Sequence, residues 1–218
     1  MSVKTEKSKT TKEKILDAAL KLFNENGITN VTTAQIAKSL NMSEGNLWYH
    51  FRTKSDIVFG LFCRLEIEVD ENLSNEPKEK YNVKDFIAHA ARSFEYLWEY
   101  RFIYRDRYDN LISEDLIKRI HDLTVRNQKR VETILNDMSR RGFLNATPEA
   151  IHALTINSWI VQSNWLRYVQ LRENIEAVTE AHIKEGFNQL IWLFLPYLNQ
   201  ESKIEADKYI ADFSLNGK

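Results

Sequence analysis

Four helix-start signals lie within the first 56 residues, and they constrain the fold of this chain more than any other feature of its sequence. In three of them a threonine precedes a glutamate, glutamine or aspartate by three residues, which is the arrangement of a capping box. The fourth is a serine, whose hydroxyl oxygen caps a helix. Their spacing predicts three short helices followed by a longer one. The signals are Thr10 with Glu13, Thr32 with Gln35, Ser43, and Thr53 with Asp56.

The second and third predicted helices are separated by only a few residues around Asn41. Asparagine is the residue other than glycine that best tolerates the left-handed conformation of a tight turn. Two short helices joined in this way indicate a helix-turn-helix. Its second helix is expected to begin after Ser43 and to run through His50.

Long helices are predicted for the rest of the chain. Only 6 glycines and 3 prolines occur in 218 residues, whereas folds built from strands and turns need more of both. Apolar spacing and cap signals predict helices over residues 83–104, 113–141, 147–172 and 175–195, and a last helix after Glu201. The predicted fold class is all-α, with an N-terminal three-helix helix-turn-helix domain and a larger helical domain.

Charge is distributed unevenly along the chain. Residues 1–60 contain 9 basic and 6 acidic side chains, whereas the rest contains 21 basic and 25 acidic ones. A mildly basic head on an acidic body suits an anionic partner at one end. The lysine-rich residues 1–9 predict a mobile basic arm. The single cysteine, Cys63, and the absence of a secretory signal or a membrane-length apolar run predict a cytoplasmic protein with no membrane partner.

The segment SEGNLWYHFRTK, residues 43–54, combines aromatic rings, an amide, an imidazole and cations. The second helix of a helix-turn-helix enters the major groove of DNA with its N-terminal residues facing the base edges. Leu47 and Phe51, four residues apart, are expected to face the core. Aromatic side chains at helical spacing usually belong to a core, but consecutive ones cannot all face one side of a helix. We therefore predict a DNA-binding surface.

The residues predicted to contact DNA offer hydroxyl, amide, indole, phenol, imidazole and ammonium donors to phosphates and base edges. Gly45 would let the backbone approach DNA closely, and Asn46 is suited to pair with adenine. A helix cap alone would also account for Thr32. The predicted contacts are Thr32, Thr33, Ser43, Gly45, Asn46, Trp48, Tyr49, His50 and Lys54.

Residues 12–62 resemble the DNA-binding domain of the TetR family of bacterial one-component regulators. The matching pieces are ILDAALKLFNENG and VTTAQIAKSLNMSEGNLWYHFRTKSDI, with their spacing. The resemblance implies a helical C-terminal domain that dimerises and binds a small effector, and most members repress transcription until the effector arrives. It also implies that seven of these residues sit where relatives contact DNA, namely Thr33, Ser43, Gly45, Asn46, Tyr49, His50 and Lys54.

Two positions of the motif differ from the commonest family pattern. Trp48 stands where tyrosine is usual, so an indole N–H replaces a hydroxyl. Glu44 stands where lysine, alanine or proline is common. A carboxylate would repel phosphate, so Glu44 is not predicted as a phosphate contact, but it can accept a hydrogen bond from a cytosine amino group.

The helices predicted after Thr147 and after Ile175 are apolar nearly all round, which indicates burial on more than one side. In TetR relatives the last two long helices pair with their symmetry mates, so the resemblance implies a homodimer. Gly186 would permit close approach of another helix. An ordinary core within one chain is the alternative. The predicted interface residues are Gly186, Phe187, Leu190, Ile191 and Phe194.

An aromatic-rich region is expected to hold the effector. Residues 94–108 carry many aromatic side chains, and polar residues interrupt the apolar helix that follows Thr147. Relatives place their pocket between helices in these positions, and an aromatic cavity with few polar groups suits a mostly apolar or aromatic ligand. The alternative for each residue is plain core. The predicted ligand contacts are Trp98, Phe102, Tyr104, Tyr108, Trp159, Gln162, Ser163 and Trp165.

No catalytic or metal-binding pattern is present in the sequence. The five histidines lie 30 or more residues apart, and there is no nucleophile elbow or phosphate-binding glycine loop. We therefore expect no enzyme activity, no catalytic residues, no cofactor and no metal. Two alternatives stay open: an all-helical enzyme or binding protein whose head only resembles the motif, and a family member whose head no longer binds DNA.

The sequence therefore predicts a TetR-type repressor that binds operator DNA as a homodimer and is released by a small, largely apolar or aromatic effector. Residues 1–56 form the predicted DNA-binding domain, and residues 57–218 form the effector-binding and dimerisation domain. An activator, or a regulator that no ligand controls, is the alternative for the sign and the effector.

Overall fold

The computed structural model describes residues 9–73, 82–105, 113–213 and 215. Over these residues the chain is α-helical, apart from turns and one isolated β-bridge between Leu144 and Leu198. The all-α prediction is confirmed. In this described part of the chain no helix is long and apolar enough to cross a membrane.

The described residues form two compact units. The first contains residues 9–64 and 113–116, and the second contains residues 65–73, 82–105 and 117 onwards. The helix Lys54–Leu73 contributes residues to both units.

The first unit is built from the four helices that the cap signals predict. Thr10 accepts a hydrogen bond from the backbone N–H of Glu13, and the Glu13 carboxylate accepts one from the backbone N–H of Thr10. Asn41 adopts the left-handed conformation, with φ of 53°, in the turn between the second and third helices. The helices are α1 Thr11–Asn26, α2 Thr33–Ser39, α3 Glu44–His50 and α4 Lys54–Leu73.

Apolar side chains from all four helices meet in the core of the first unit. Along α1 these apolar residues recur at helical spacing. In all four helices the core side chains are nearly inaccessible to solvent. Burying such side chains is the main favourable term in folding. The most deeply buried are Ile15, Ala19, Phe23, Ile28, Ile36, Leu47, Ile57 and Leu61.

The second unit contains the remaining long helices. Thr147 caps one of them, with Pro148 at its first position, and Asn174 ends it in the left-handed conformation, with φ of 54°. The predicted ends of this helix, and of the helix predicted over residues 113–141, are confirmed to within a residue. The helices are α5 Val83–Glu99, α6 Arg101–Arg105, α7 Glu114–Arg140, α8 Pro148–Glu173, α9 Glu180–Phe194 and α10 Gln200–Asp212, with a short 3₁₀ helix at Leu195–Tyr197.

Two helix predictions were wrong in their boundaries. The predicted helix over residues 83–104 is divided at Tyr100, which leaves helical geometry. Tyr100 and Phe102 are both fully buried, and a continuous helix would point residues two apart in different directions. The helix predicted from residue 175 begins at Glu180, because the backbone N–H of Thr179 donates to Nδ1 of His182 and starts the helix there.

Helix α9 lies at the centre of the second unit. It packs against α5, α8 and α10. A Cβ atom at Gly186 would lie 2.5 Å from Cδ1 and Nε1 of Trp165 and 2.7 Å from Cε1 of Phe94. Gly186 is therefore needed for close approach between helices of the same chain.

The prediction that five α9 residues form the dimer interface is corrected by this packing. Phe187 stacks on Phe213, and its side chain is 0% exposed in the single chain. Side chains that one chain already buries offer no surface to a second chain. The intrachain alternative describes all of them: Gly186, Phe187, Leu190, Ile191 and Phe194.

Candidate functional site

Helix α3 presents a polar and aromatic surface to solvent. The side chain of Tyr49 is 86% exposed and that of Trp48 is 51% exposed. Gly45 and Asn46 are also exposed, and a Cβ atom built at Gly45 would meet nothing within 4 Å. His50 is half-buried and packs edge-on against Tyr49, with the ring centroids 5.3 Å apart. Large exposed aromatic side chains on so short a helix indicate a binding surface.

Two apolar residues hold α3 in place from beneath. Leu47 is inaccessible to solvent and Phe51 nearly so, as predicted from their spacing. The ammonium of Lys12 lies 5.3 Å from the centre of the Phe51 ring, within cation–π range. The packing of Leu47 and Phe51 therefore fixes the position of α3 and of its exposed side chains.

Ser43 and Thr32 act as helix caps. The hydroxyl oxygen of Ser43 accepts from the backbone N–H of Asn46 at 3.2 Å. Thr32 caps α2 through the backbone N–H of Gln35 at 3.2 Å, and its own N–H donates to Oε1 of Gln35. The cap interpretation of Thr32 is confirmed, and both hydroxyls nevertheless remain at the exposed starts of their helices.

The Thr33 hydroxyl is engaged by Glu44. Its Oγ1 donates to Oε1 of Glu44 over 2.8 Å, which links the first residue of α2 to the first residue of α3. A hydroxyl has one proton to donate. In this structure that proton is donated to Glu44, and the contact of Thr33 with DNA stays a prediction.

Lys54 has an internal role that the sequence did not reveal. Its ammonium donates to the backbone carbonyl oxygens of Ile28 and Val31 at 2.8 and 3.0 Å. Partial burial lowers the pKa of this ammonium. Because an ammonium has three N–H bonds, one remains for a phosphate after the two internal contacts. Lys54 therefore joins the start of α4 to the segment between α1 and α2.

The aromatic residues of α5 and α6 include half-buried side chains that suit a ligand surface. The guanidinium of Arg101 lies 4.2 Å from the centre of the Trp98 ring and covers it. Tyr104 is partly buried against the core of the second unit, and desolvation by this burial raises its pKa to about 12. Tyr108 lies outside the described residues.

Two predicted ligand contacts lie in the core. Phe102 is fully buried. Trp165 is buried against Gly186, and its indole N–H donates to the carbonyl oxygen of His182. Both residues are therefore core residues, as the alternative interpretation expected.

The three predicted contacts on α8 are half-buried. Trp159 and Gln162 lie between the exposed and buried sides of the helix, and Ser163 donates its hydroxyl proton to the carbonyl oxygen of Trp159. Helix α6 packs against α8, so the aromatic residues of α6 and the mixed residues of α8 belong to neighbouring elements.

Carboxylates on α4 and arginines on α7 form a ladder of ion pairs. Glu66 accepts from Arg119 and, at 2.8 Å, from Arg126. Arg126 also reaches Asp70 at 3.3 Å, and Arg130 reaches Asp70 at 2.5 Å. No local sequence pattern indicates this ladder, because its partners lie more than fifty residues apart in the chain.

Helices α8 and α9 also carry exposed apolar side chains, which their sequence pattern does not distinguish from the core. Ile160 is 50% exposed and Trp192 is 48% exposed. On α8 these residues follow one another at spacings of four, eight and three positions, so they share one face of the helix. The exposed apolar residues of the two helices are Ile156, Ile160, Tyr168, Leu171 and Trp192.

Two family models match consecutive parts of the chain. A model described as "Bacterial regulatory proteins, tetR family" matches residues 15–61. A model described as "Bacterial transcriptional repressor" matches residues 64–205. The first match covers most of α1, all of α2 and α3 and the start of α4, and the second contains most of the second unit.

Individual relatives are transcriptional regulators rather than enzymes. IcaR of Staphylococcus aureus, named as a negative transcriptional regulator of the biofilm operon icaADBC, is 24% identical over 201 residues, which cover 84% of this chain and 98% of IcaR. The regulator QacR of the same organism is 36% identical over 73 residues, which cover 34% of this chain and 36% of QacR. The crystal structure of a TetR-family regulator from Marinobacter aquaeolei VT8 matches with a TM-score of 0.81 at 30% identity, covering 94% of this chain and all of that one.

Proposed function

The chain belongs to the TetR family of bacterial transcriptional regulators, and we propose that it represses transcription as a homodimer on operator DNA until a small, largely apolar or aromatic effector releases it. The α3 surface carries this proposal, because Asn46, Trp48 and Tyr49 are exposed there above the buried Leu47. Residues 1–56 would bind DNA, and residues 57–218 would bind the effector and the second chain.

The exposed residues of α3 suit the two kinds of contact that a DNA reader needs. The Asn46 amide presents a donor and an acceptor to one base edge, as adenine recognition requires. The phenol of Tyr49 and the indole N–H of Trp48 are donors suited to phosphate oxygens. Because Gly45 has no side chain, the backbone beside Asn46 has room to approach DNA.

The exposed apolar face of α8 and α9 supports the homodimer. It includes Ile160 and Trp192, which a single chain leaves in contact with water. A two-fold axis would bury the same patch on both chains. Two copies of α3 would then read two half-sites separated by one helical turn, about 34–36 Å.

The sign of regulation is proposed from the relatives. The name of IcaR describes a negative regulator, and IcaR is similar to this chain over nearly its whole length. The model that matches residues 64–205 is described as a transcriptional repressor. Both favour repression over activation.

The effector would bind in the second unit, between the aromatic residues of α5 and α6 and the mixed face of α8. Trp98 and Trp159 offer apolar rings, and Gln162 offers an amide that would orient a ligand. An effector releases DNA only by binding the released state more tightly than the DNA-bound state. Helix α4 has residues in both units. Its ion pairs with α7 would fix the position of α4 along α7.

Selection of binding sites from random duplex DNA by the purified protein tests this function. The expected product is a palindrome whose half-sites lie about 10 base pairs apart, since a dimer with one α3 per chain reads two equivalent sequences. Recovery of no enriched sequence would contradict the proposal. The recovered duplex then serves as the probe in a screen for apolar and aromatic compounds that release the protein.

Asn46→Ala gives a sharper test of the reading surface. It should lower discrimination at one symmetry-related base position by about 1–3 kcal/mol, because the bidentate contact to that base is lost. Affinity for shuffled DNA should stay nearly the same. An unchanged base preference would remove Asn46 from sequence reading.

A further inference from the structure

The contact between Thr33 and Glu44 fixes a carboxylate beside the exposed residues of α3. The Thr33 hydroxyl donates to Oε1 of Glu44 over 2.8 Å. Both side chains are half-buried, so the contact restricts the carboxylate more than an exposed pair would. The result is an oriented acceptor on a surface otherwise made of donors and amides.

The second carboxylate oxygen of Glu44 keeps its capacity to accept a hydrogen bond. Within the described residues, the Glu44 carboxylate accepts a hydrogen bond from the Thr33 hydroxyl through Oε1. An ionised carboxylate only accepts hydrogen bonds, and it repels phosphate oxygens. Any group on DNA that Glu44 contacts favourably must therefore be a donor.

Two of the four bases offer a donor in the major groove. Cytosine presents its N4 amino group, and adenine presents its N6 amino group beside the acceptor N7. Each amino group has an acceptor of the paired base on one side, O6 of guanine or O4 of thymine. On its other side adenine presents its own acceptor N7, whereas cytosine presents only a C–H group. The chemistry of an oriented carboxylate thus selects cytosine over the other bases.

We propose that Glu44 is a specificity-determining residue that accepts a hydrogen bond from the N4 amino group of a cytosine in each half-site. Thr33 is the positioning residue that holds the carboxylate in the required orientation. The inference rests on the proposed DNA-binding function and adds the identity of one base to it.

A purely structural role for Glu44 makes a different prediction. If the contact with Thr33 only braces α2 against α3, removing it changes the affinity for all sequences by the same factor. If Glu44 reads a base, removing the carboxylate changes the preference at one symmetry-related position. The two roles therefore differ in the base profile, that is, in the relative affinities for the four bases at each position of the site, and not only in the overall affinity.

The experiment measures affinities of the wild-type protein and Glu44→Gln for the selected duplex and for its single-base-pair variants. The wild type should lose about tenfold in affinity when the cytosine pair facing Glu44 is replaced. Glu44→Gln should lose most of that preference, because an amide both donates and accepts. A base profile that is the same in both proteins would overturn the inference, even if the variant binds all sequences more or less tightly.

Glu25→Gln is the matched control for charge. Glu25 is an exposed carboxylate in the last turn of α1, so its replacement changes the net charge of the same unit by the same amount. This variant should keep the wild-type base profile. If it lost the cytosine preference as Glu44→Gln does, the effect would come from charge and the proposed contact would be refuted.

Thr33→Val tests the positioning role. Valine keeps the shape of the side chain but removes the hydroxyl proton, so the carboxylate loses its anchor. The cytosine preference should fall at the same position to a value between those of the wild type and Glu44→Gln, and Thr33→Ser should restore it. No change in Thr33→Val would overturn the role assigned to Thr33.

Failure of this inference is distinguishable from failure of the proposed function. If the wild type enriches no sequence from random DNA, the regulator proposal fails and the base assignment fails with it. If the wild type selects a site whose base profile is insensitive to Glu44, only the assignment of Glu44 fails.

Discussion

Lys54 has a structural role inside the protein that its position in the motif does not indicate. Its ammonium satisfies two backbone carbonyl oxygens, those of Ile28 and Val31. A lysine at the end of a DNA-binding motif suggests a phosphate contact, and the remaining N–H is compatible with one. Replacement of Lys54 will therefore change both the folding of the first unit and its affinity for DNA.

Lys54→Ala should lower the free energy of unfolding by about 1–3 kcal/mol, because two carbonyl oxygens lose a charged donor. Thermal or denaturant unfolding measures this change. Lys38→Ala is the control, since Lys38 is an exposed lysine in the last turn of α2. Equal stability of the two variants would contradict the internal role of Lys54.

His89 is expected to make stability depend on pH. Desolvation lowers the pKa of its imidazole to about 4 from the ordinary value of 6.5, and its Nδ1 lies 3.2 Å from the Asn72 amide nitrogen. Between these pKa values the unfolded chain binds more protons than the folded chain. The contribution of neutral His89 to the free energy of unfolding is therefore fully present above pH 6.5 and is lost as the pH falls towards 4. The free energy of unfolding falls by roughly 3 kcal/mol at most over this range.

His89→Gln isolates this contribution. Its amide oxygen can accept from Asn72 and does not titrate. Urea unfolding of both proteins between pH 4 and 7 should show a smaller loss of stability on acidification in the variant. Parallel curves for the two proteins would exclude His89 as the source.

At the scale of the helices, local signals predicted where most elements begin and where they end. The capping residues Thr10, Thr32 and Thr147 each start a helix as expected. Local signals did not predict the break at Tyr100, which depends on burying that residue together with Phe102. They also did not show which side of α8 is buried, because nearly every side of that helix is apolar.

Gly186→Ala tests the close packing of α9. A methyl group would lie 2.5 Å from the Trp165 indole, so α8 or α9 must move. The free energy of unfolding should fall by about 1–3 kcal/mol. Gly45→Ala is the control, because its methyl group would meet nothing within 4 Å. Alanine is also the better helix former, by up to about 1 kcal/mol. A Gly186→Ala protein as stable as the Gly45→Ala protein would contradict the packing of α9.

The candidate site shows the same division between what local sequence predicts and what it does not. The exposure of Asn46 and Tyr49 above Leu47 follows from helical periodicity and was predictable. The Thr33–Glu44 contact and the internal bonds of Lys54 depend on how the helices pack. No local pattern encodes them.

At the scale of the whole molecule, the exposed face of α8 and α9 should hold two chains together. Ile160→Asp places a charge at a residue that is 50% exposed in the single chain. The dimer dissociation constant should rise by about tenfold or more, since burying an unpaired carboxylate is unfavourable. Sedimentation equilibrium measures it.

Ile204→Asp is the control for this change. Ile204 lies on α10 and is 51% exposed, so the same substitution is made at a matched exposure. It should leave the dimer intact. Weakened association in both variants would point to general destabilisation, and an intact dimer in Ile160→Asp would exclude this face from the interface.

The measurement that most directly tests the central claim is the affinity of the wild-type protein for its selected duplex and for a shuffled duplex, across a range of salt concentrations. A regulator that reads bases through α3 should bind the selected duplex about a thousandfold more tightly or better. Its affinity should fall steeply with salt, because phosphate contacts release counterions. Equal affinity for the two duplexes, or binding that is indifferent to salt, would contradict the account.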